Sequence, residues 1–274
     1  AKANASKSKF LLLSHMRGHI TNMDKLVEIC KSLKIQIIED CAHTMGAKWD
    51  GKRSGNFGLV SAFSTQTYKH INSGEGGFLV TNDDEVIAKA IMHSGSYMLY
   101  EKHASSPNND IFEKVKLKTA NFSGRMDNLR SSILIPQLKD LDNKVIKWNN
   151  LYKELYDRLK TQDGIFIPNR DKREFYVGSS IQFRLKDFAD EKIQDFIKNC
   201  KKRGVDLKWF GDKNPIAYTS RYDSWEYLEN IPVLKNTLEI LKTTLDMRIP
   251  LTFDNNDCRV IAEIIIEEFR NLKL

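Results

Sequence analysis

Residues 35–43, IQIIEDCAH, and residues 63–82, FSTQTYKHINSGEGGFLVTN, decide how this chain is read. The first is an apolar run, Ile35-Gln36-Ile37-Ile38, that turns abruptly acidic at Glu39-Asp40 and then reaches a histidine, His43. It reads as a buried strand over 35–39 with chemistry at its carboxyl end. Side chains alternate along a strand, so Glu39 and Asp40 are expected on opposite sides. The second stretch sets one lysine, Lys69, between a strand ending in the hydroxyls Ser64 and Thr65 and the glycine-dense turn 74–77. In an open α/β sheet, ligands gather at the carboxyl ends of strands. An acid at one strand end and a lysine after another are therefore expected in one crevice.

Working outward, the first half alternates strand and helix. Short strands are expected at 10–14, 59–63 and 78–81, with a tight turn at Asp50-Gly51. Asn22 caps a helix in which Met23, Leu26, Val27, Cys30 and Leu33 recur at helical spacing, and Asp83 or Asp84 starts another that runs to about Ser94. Such alternation predicts an α/β fold with a mostly parallel sheet flanked by helices. The pattern breaks up over 97–122, with a loop at 105–109. A helical stretch over 126–159 carries Pro136, which should kink or divide it. Beyond Gly164 a strand at 180–185 with one wet face, a helix at 192–202, strands at 205–209 and 247–251 and a last helix from Asn255 or Asn256 predict a small α+β domain. The expected division is 1–150 and 151–274.

Composition narrows the function. The chain has 274 residues, 41% hydrophobic and 29% charged, with a net charge of +7. No apolar run approaches the roughly 18 residues that span a bilayer, and the opening AKANASKSK lacks a secretory core. A soluble, cytoplasmic protein without a membrane partner is expected. The basic residues are dispersed among acids, and the densest cluster, Lys201-Lys202-Arg203, falls at a helix end where cations suit the dipole. Nucleic acid is therefore not an expected partner. Cys30, Cys41, Cys200 and Cys258 are scattered without metal-ligand spacing and read as buried small hydrophobes, so neither a metal nor a disulfide is expected.

An acid and a lysine placed this way suit pyridoxal 5'-phosphate. The lysine binds the aldehyde, and a carboxylate keeps the pyridine nitrogen protonated. Asp40 is the candidate acid. His43 is placed to stack on the ring or to bond its phenolic oxygen, and Ser64 and Thr65 offer hydroxyls to a phosphate. Each has a plainer reading: an acid as a cap, a histidine satisfied by backbone, a lysine in solvent.

The whole pattern resembles the DegT/StrS family of sugar aminotransferases, pyridoxal phosphate enzymes of fold type I. The match is carried by SHMRGH at 14–19 with Met23-Asp24, IEDCAH at 38–43, GNFG at 55–58, FS…K at 63–69 and GEGGFLVTND at 74–83. The resemblance implies Lys69 as the catalytic, cofactor-bearing lysine, with Asp40, His43 and Ser64 as cofactor contacts. It implies an amino acid donor (glutamate or glutamine) and a keto-sugar acceptor, usually nucleotide-linked, in cell-surface polysaccharide or secondary-metabolite sugar biosynthesis. It also implies a homodimer with shared sites, to which NFSGRM at 121–126 contributes, with Ser123 where the family usually has Asn. Family chains begin with further elements, including a Gly-Thr/Ser segment at the cofactor phosphate. This chain opens at what resembles the middle strands, so weakened cofactor binding is expected. The alternative is a truncated, non-catalytic homologue that acts as a binding or regulatory partner.

Overall fold

The computed structural model describes residues 7–96, 98–214, 221–227 and 229–272. Most of the opening AKANASKSK, residues 1–6, lies outside them. In chain order the elements are β1 (Phe10–Ser14), α1 (Met23–Ser32), β2 (Gln36–Asp40), β3 (Lys48–Trp49), β4 (Lys52–Arg53), β5 (Val60–Ser64), β6 (Gly77–Val80), α2 (Asp84–His93), α3 (Asn109–Val115), α4 (Asn128–Lys139) and α5 (Leu141–Leu159). Then follow β7 (Ile165–Phe166), β8 (Glu174–Phe175), β9 (Ser180–Leu185), α6 (Asp190–Lys202), β10 (Lys208–Trp209), α7 (Lys235–Thr243), β11 (Thr244–Arg248) and α8 (Asn255–Leu272). The chain divides into two compact units, one of residues 1–143 with 171–177 and one of 144–170 with 178–274.

In the first unit the sheet order is β1-β2-β5-β6. β1, β2 and β5 run parallel, and β6 returns antiparallel to β5. Register sets Ser14 beside Asp40 and Asp40 beside Ala62, so three parallel strands end at one edge. The local signals act as read. Asn22 accepts the Lys25 amide at the start of α1, and Asp83 accepts that of Val86 at the start of α2. Asp50 and Gly51 take φ values of 47° and 79°, the two positive angles that a tight hairpin turn between β3 and β4 demands. Trp49 is buried beneath that hairpin, with its indole N–H donating to Asp24 at 3.1 Å.

The 97–122 region is less irregular than expected. Phe112 and Val115 bury themselves on Ala88, Ile91 and Met92 of α2, and this contact orders α3. The long helical stretch is divided, but at Asp140 and not at Pro136, which lies inside α4. α4 ends at Lys139 and α5 begins at Leu141.

The second unit holds an antiparallel sheet, β10-β11-β9-β7, with α6 and α8 packed together. β9 lacks the expected wet face, since five of its six residues are buried. Its polar positions satisfy one another, because Gln182 donates to Ser180 at 2.9 Å and to Asp246 at 2.7 Å. The expected 247–251 strand begins earlier, at Thr244, where it pairs with Arg184. The 205–209 strand contracts to two residues, and α7 was not anticipated. Among the described residues no helix is long and apolar enough to cross a membrane.

Candidate active site

The site lies at the strand ends of the first unit. Asp40 closes β2, half-buried, with one oxygen accepting the Ser14 hydroxyl at 2.8 Å and the other the Ala42 amide at 3.1 Å. Both partners leave the carboxylate in a fixed orientation. Three residues on, His43 Nε2 stands 3.0 Å from Lys69 Nζ, while the Arg17 amide donates to His43 Nδ1 at 3.3 Å. The residues picked out at 40, 43 and 69 are thus joined by one short connection and one direct contact.

Lys69 is held near the tip of a hairpin that extends β5 and β6. Thr65 N donates to Gly76 O, Thr67 N to Gly74 O and Ser73 N to Thr65 O, each at 2.9–3.0 Å. Ile71 anchors the tip by complete burial. The Gln137 side chain of α4 grips Asn72, accepting from its amide at 3.1 Å and donating to its carbonyl at 2.7 Å. Backbone at Gly77 passes so close to β5 that a Cβ would stand 2.5 Å from Phe63 O. The glycine density of this turn therefore serves close packing as well as turning.

Ser64 sits at the end of β5 and accepts the Gln66 amide at 3.3 Å. Thr65 beside it is fully buried, and among the described residues its hydroxyl has no hydrogen-bond partner. His70 is buried and stays neutral at pH 7. Burial first, then the closeness of His43 and Lys69, push its pKa down to about 3.

On the other side of β2, Glu39 is completely buried, as strand alternation requires. Its oxygens accept the amides of Gly55 (2.9 Å), Phe57 (2.6 Å) and Gly58 (2.9 Å) and meet His15 Nε2 at 3.2 Å. Burial alone would push this carboxyl up; the His15 bond and the three amides together hold it below the usual carboxylate range. Ligand-type atoms of His15, Glu39 and Cys41 lie within 4.8 Å of one another. Glu39 is already saturated by donors, however, and burial pushes the Cys41 thiol up to about 12, so the cluster is a hydrogen-bonded scaffold. All four cysteines are buried, as their scatter suggested.

Sequence reasoning noted Ser14, His15 and Arg17 only as part of SHMRGH and gave none of them a role at the site. Ser14 was findable as the last residue of a strand parallel to β2. The Arg17 amide carries no residue signal at all. The NFSGRM segment lies against its own chain: Arg125 donates to Ser94 O at 3.3 Å, and the Met126 methyl stands where a Cβ on Gly76 would be 2.6 Å away. Ser123 adopts a φ of 51°.

The donor set fits pyridoxal phosphate. A fixed carboxylate, an amine and an imidazole stand near neighbouring strand ends, and Thr65 adds a buried hydroxyl without a hydrogen-bond partner among the described residues. Comparison with known proteins agrees. The sequence model of the DegT/DnrJ/EryC1/StrS aminotransferase family matches residues 1–265, and the chain belongs to that family. It is 32% identical over 138 residues to a GDP-perosamine synthase of Escherichia coli O157:H7, covering 50% of this chain and 35% of that protein. It is 24% identical over 272 residues to the UDP-4-amino-4,6-dideoxy-N-acetyl-beta-L-altrosamine transaminase of Helicobacter pylori, covering 98% and 68%. The fold superposes on Helicobacter pylori PseC, an aminotransferase involved in pseudaminic acid biosynthesis, with a TM-score of 0.79 at 18% identity over 95% of this chain and 66% of that one. A 3-amino-5-hydroxybenzoic acid synthase gives 0.77 at 20% identity over 98% and 70%. The chain spans 35% and 37% of the length of two GDP-perosamine synthases it matches.

Proposed function

We propose that this chain carries the catalytic centre of a pyridoxal phosphate-dependent aminotransferase that moves an amino group from glutamate or glutamine to a nucleotide-linked keto-sugar. We place the work in the cytoplasm, in a homodimer, with residues 1–150 as the cofactor domain and 151–274 as the small domain. The observation that carries the reading is the 3.0 Å contact of Lys69 Nζ with His43 Nε2, three residues beyond the anchored carboxylate of Asp40.

When bound, pyridoxal phosphate supplies an electron sink for the carbanion left when the donor loses its α-proton. Asp40 would hold the pyridine nitrogen protonated, because a charged carboxylate favours a nearby cation. Ser14 and the Ala42 amide keep that carboxylate aimed. His43, held by the Arg17 amide and beside Lys69, would stack on the ring or bond its phenolic oxygen. Ser64 and Thr65 would offer their hydroxyls to the phosphate. The Lys69 amine would hold the aldehyde and would move the proton at the donor's α-carbon, serving as base in one half-reaction and acid in the other. Reuse of one site by two substrates in turn predicts ping-pong kinetics.

The test is spectroscopic and chemical. Protein mixed with pyridoxal phosphate should show a bound-cofactor band that Lys69→Ala abolishes, and Asp40→Asn should weaken retention of the cofactor on dialysis. Glutamate or glutamine should then convert the cofactor to its amine form. A folded protein with no lysine-dependent band would refute the catalytic reading and favour a non-catalytic partner role.

A further inference from the structure

We propose that Gln137 is a positioning residue for Lys69, acting through the main chain of Asn72. The role rests on the aminotransferase reading for its purpose, though not for its geometry. Lys69 stands in the irregular tip, 66–73, of the hairpin that extends β5 and β6, three residues before Asn72. Gln137, on α4, meets Asn72 twice. Its Oε1 accepts the Asn72 N–H at 3.1 Å, and its Nε2 donates to the Asn72 carbonyl at 2.7 Å. A side-chain carboxamide thereby pairs with main chain as one strand edge pairs with another.

The contact demands glutamine. Nε2 carries two hydrogens, and the second goes to the Ile133 carbonyl at 3.0 Å, one turn back on the same helix. Both donors and the oxygen are engaged, which fixes the carboxamide's orientation. A glutamate would set an oxygen against two carbonyls, and a lysine would offer no acceptor. Methionine would fill the space and make neither bond.

α4 holds the clasp in place. Asp127 caps its start by accepting the Arg130 amide at 2.8 Å, and Leu134 is buried. Just before the helix, the Met126 methyl lies against Gly76, where a Cβ would be 2.6 Å from it. One segment, 126–137, therefore holds the hairpin both near its base and at its tip. Between Lys69 and the clasp lie His70 and Ile71, both buried, so the lysine sits on a short stretch pinned at its far end. Displacing Asn72 should move Lys69 away from His43, which it meets at 3.0 Å. A misplacement of about 1 Å at a reacting group costs on the order of 100-fold in rate.

The experiment compares the whole chain, without cofactor, with Gln137→Met and with Leu138→Ala, a control at an exposed position of the same helix. Loss of two neutral hydrogen bonds should speed amide exchange at Lys69 and Asn72 about tenfold or more, with the amides of β5 and β6 unchanged. NMR of the His43 ring, assigned by its loss in His43→Gln, gives a readout that a merely local role would leave alone. In Gln137→Met the ring signals should shift part of the way towards their values in Lys69→Ala. In Leu138→Ala they should stay at wild type. Exchange as slow as wild type in Gln137→Met, or ring signals unmoved, would overturn the proposal. Gln137→Glu, of the same shape but with one donor group lost, supplies a second variant with the same two expected changes at pH 7. Neither readout needs pyridoxal phosphate. A chain that bound no cofactor would sink the proposed function and leave this result standing, whereas a lysine-dependent cofactor band with an unmoved His43 would do the reverse.

Discussion

Replacing Glu39 by glutamine changes one oxygen to an amide nitrogen at the most densely hydrogen-bonded carboxylate described in the first unit. Oε1 accepts the Phe57 and Gly58 amides, and Oε2 accepts Gly55 and meets His15. The glutamine oxygen can retain one of these pairs. Its NH2 then faces the other, and if it takes the Oε2 position, His15 can move its own proton to Nδ1, a buried atom with no hydrogen-bond partner among the described residues, and accept. The Gly55 N–H has no such escape and is left donor to donor. A stranded buried donor costs about 1–3 kcal/mol, and demoting two charge-assisted bonds to neutral ones adds about 1 kcal/mol each. The total is on the order of 4 kcal/mol, a large share of the roughly 5–15 kcal/mol that holds an ordinary protein folded.

Guanidinium unfolding of both proteins at pH 7 would measure that loss. The difference must also depend on pH. Glu39 has a folded pKa below its unfolded one, so its contribution is complete above the ordinary carboxyl value of 4.5 and is lost as pH falls through the lower folded value. The gap between wild type and Glu39→Gln should therefore narrow under acid. A loss smaller than about 1 kcal/mol at pH 7, or a gap that widens below pH 4.5, would refute the claim that this carboxylate is ionised and fully bonded.

Two further outcomes follow from named groups. His70 is held neutral, with its pKa pushed from 6.5 down to about 3. The unfolded chain therefore binds the extra proton, and stability should fall as pH drops from 6.5 towards 5, by up to about 1.4 kcal/mol per unit; His70→Leu should flatten that slope in urea melts. Ser123 sits at φ 51°, a region that asparagine tolerates better than serine. Ser123→Asn should raise stability by about 0.5–1 kcal/mol, read as a higher melting temperature, whereas Ser123→Val should lower it.

The fold was legible wherever a segment carried both a period and a boundary. β2 shows an apolar run ended by acids, and α1 and α2 show caps that the structure uses as written. α3 lacked both, because only two of its seven residues, Phe112 and Val115, are buried. α7 buries none of its described residues completely, and Leu234, Leu238 and Leu241 at helical spacing were the signal that went unread. β9 misled for another reason: Ser180 and Gln182 look solvent-facing, yet Asp246 on the neighbouring strand satisfies Gln182, which bonds Ser180 in turn. That partner stands 64 positions away and is fixed only by register. The candidate site divides along the same line. Asp40, His43 and Lys69 announce themselves as side chains near strand ends, whereas Ser14 and the Arg17 amide matter through cross-strand register and main chain.

The two acids of β2 show why the distance between Asp40 and Lys69 is not set by site residues alone. Lys69 rides on the hairpin that continues β5, and β5 is reached through the loop 54–58. That loop is bound to β2 by the Glu39 carboxylate, which takes three of its amides, and by close backbone approach, since a Cβ on Gly58 would stand 2.3 Å from Ile37 O. The strand that presents Asp40 on one face therefore grips, with its other face, the segment leading to Lys69. Strand alternation makes this possible with adjacent residues: one carboxylate stays half-buried at the sheet edge while the next is spent entirely on the scaffold. A change at Glu39 should consequently disturb the relation of acid to lysine even though Glu39 faces away from both, and a cofactor that must be held at its two ends is the ligand most sensitive to that relation.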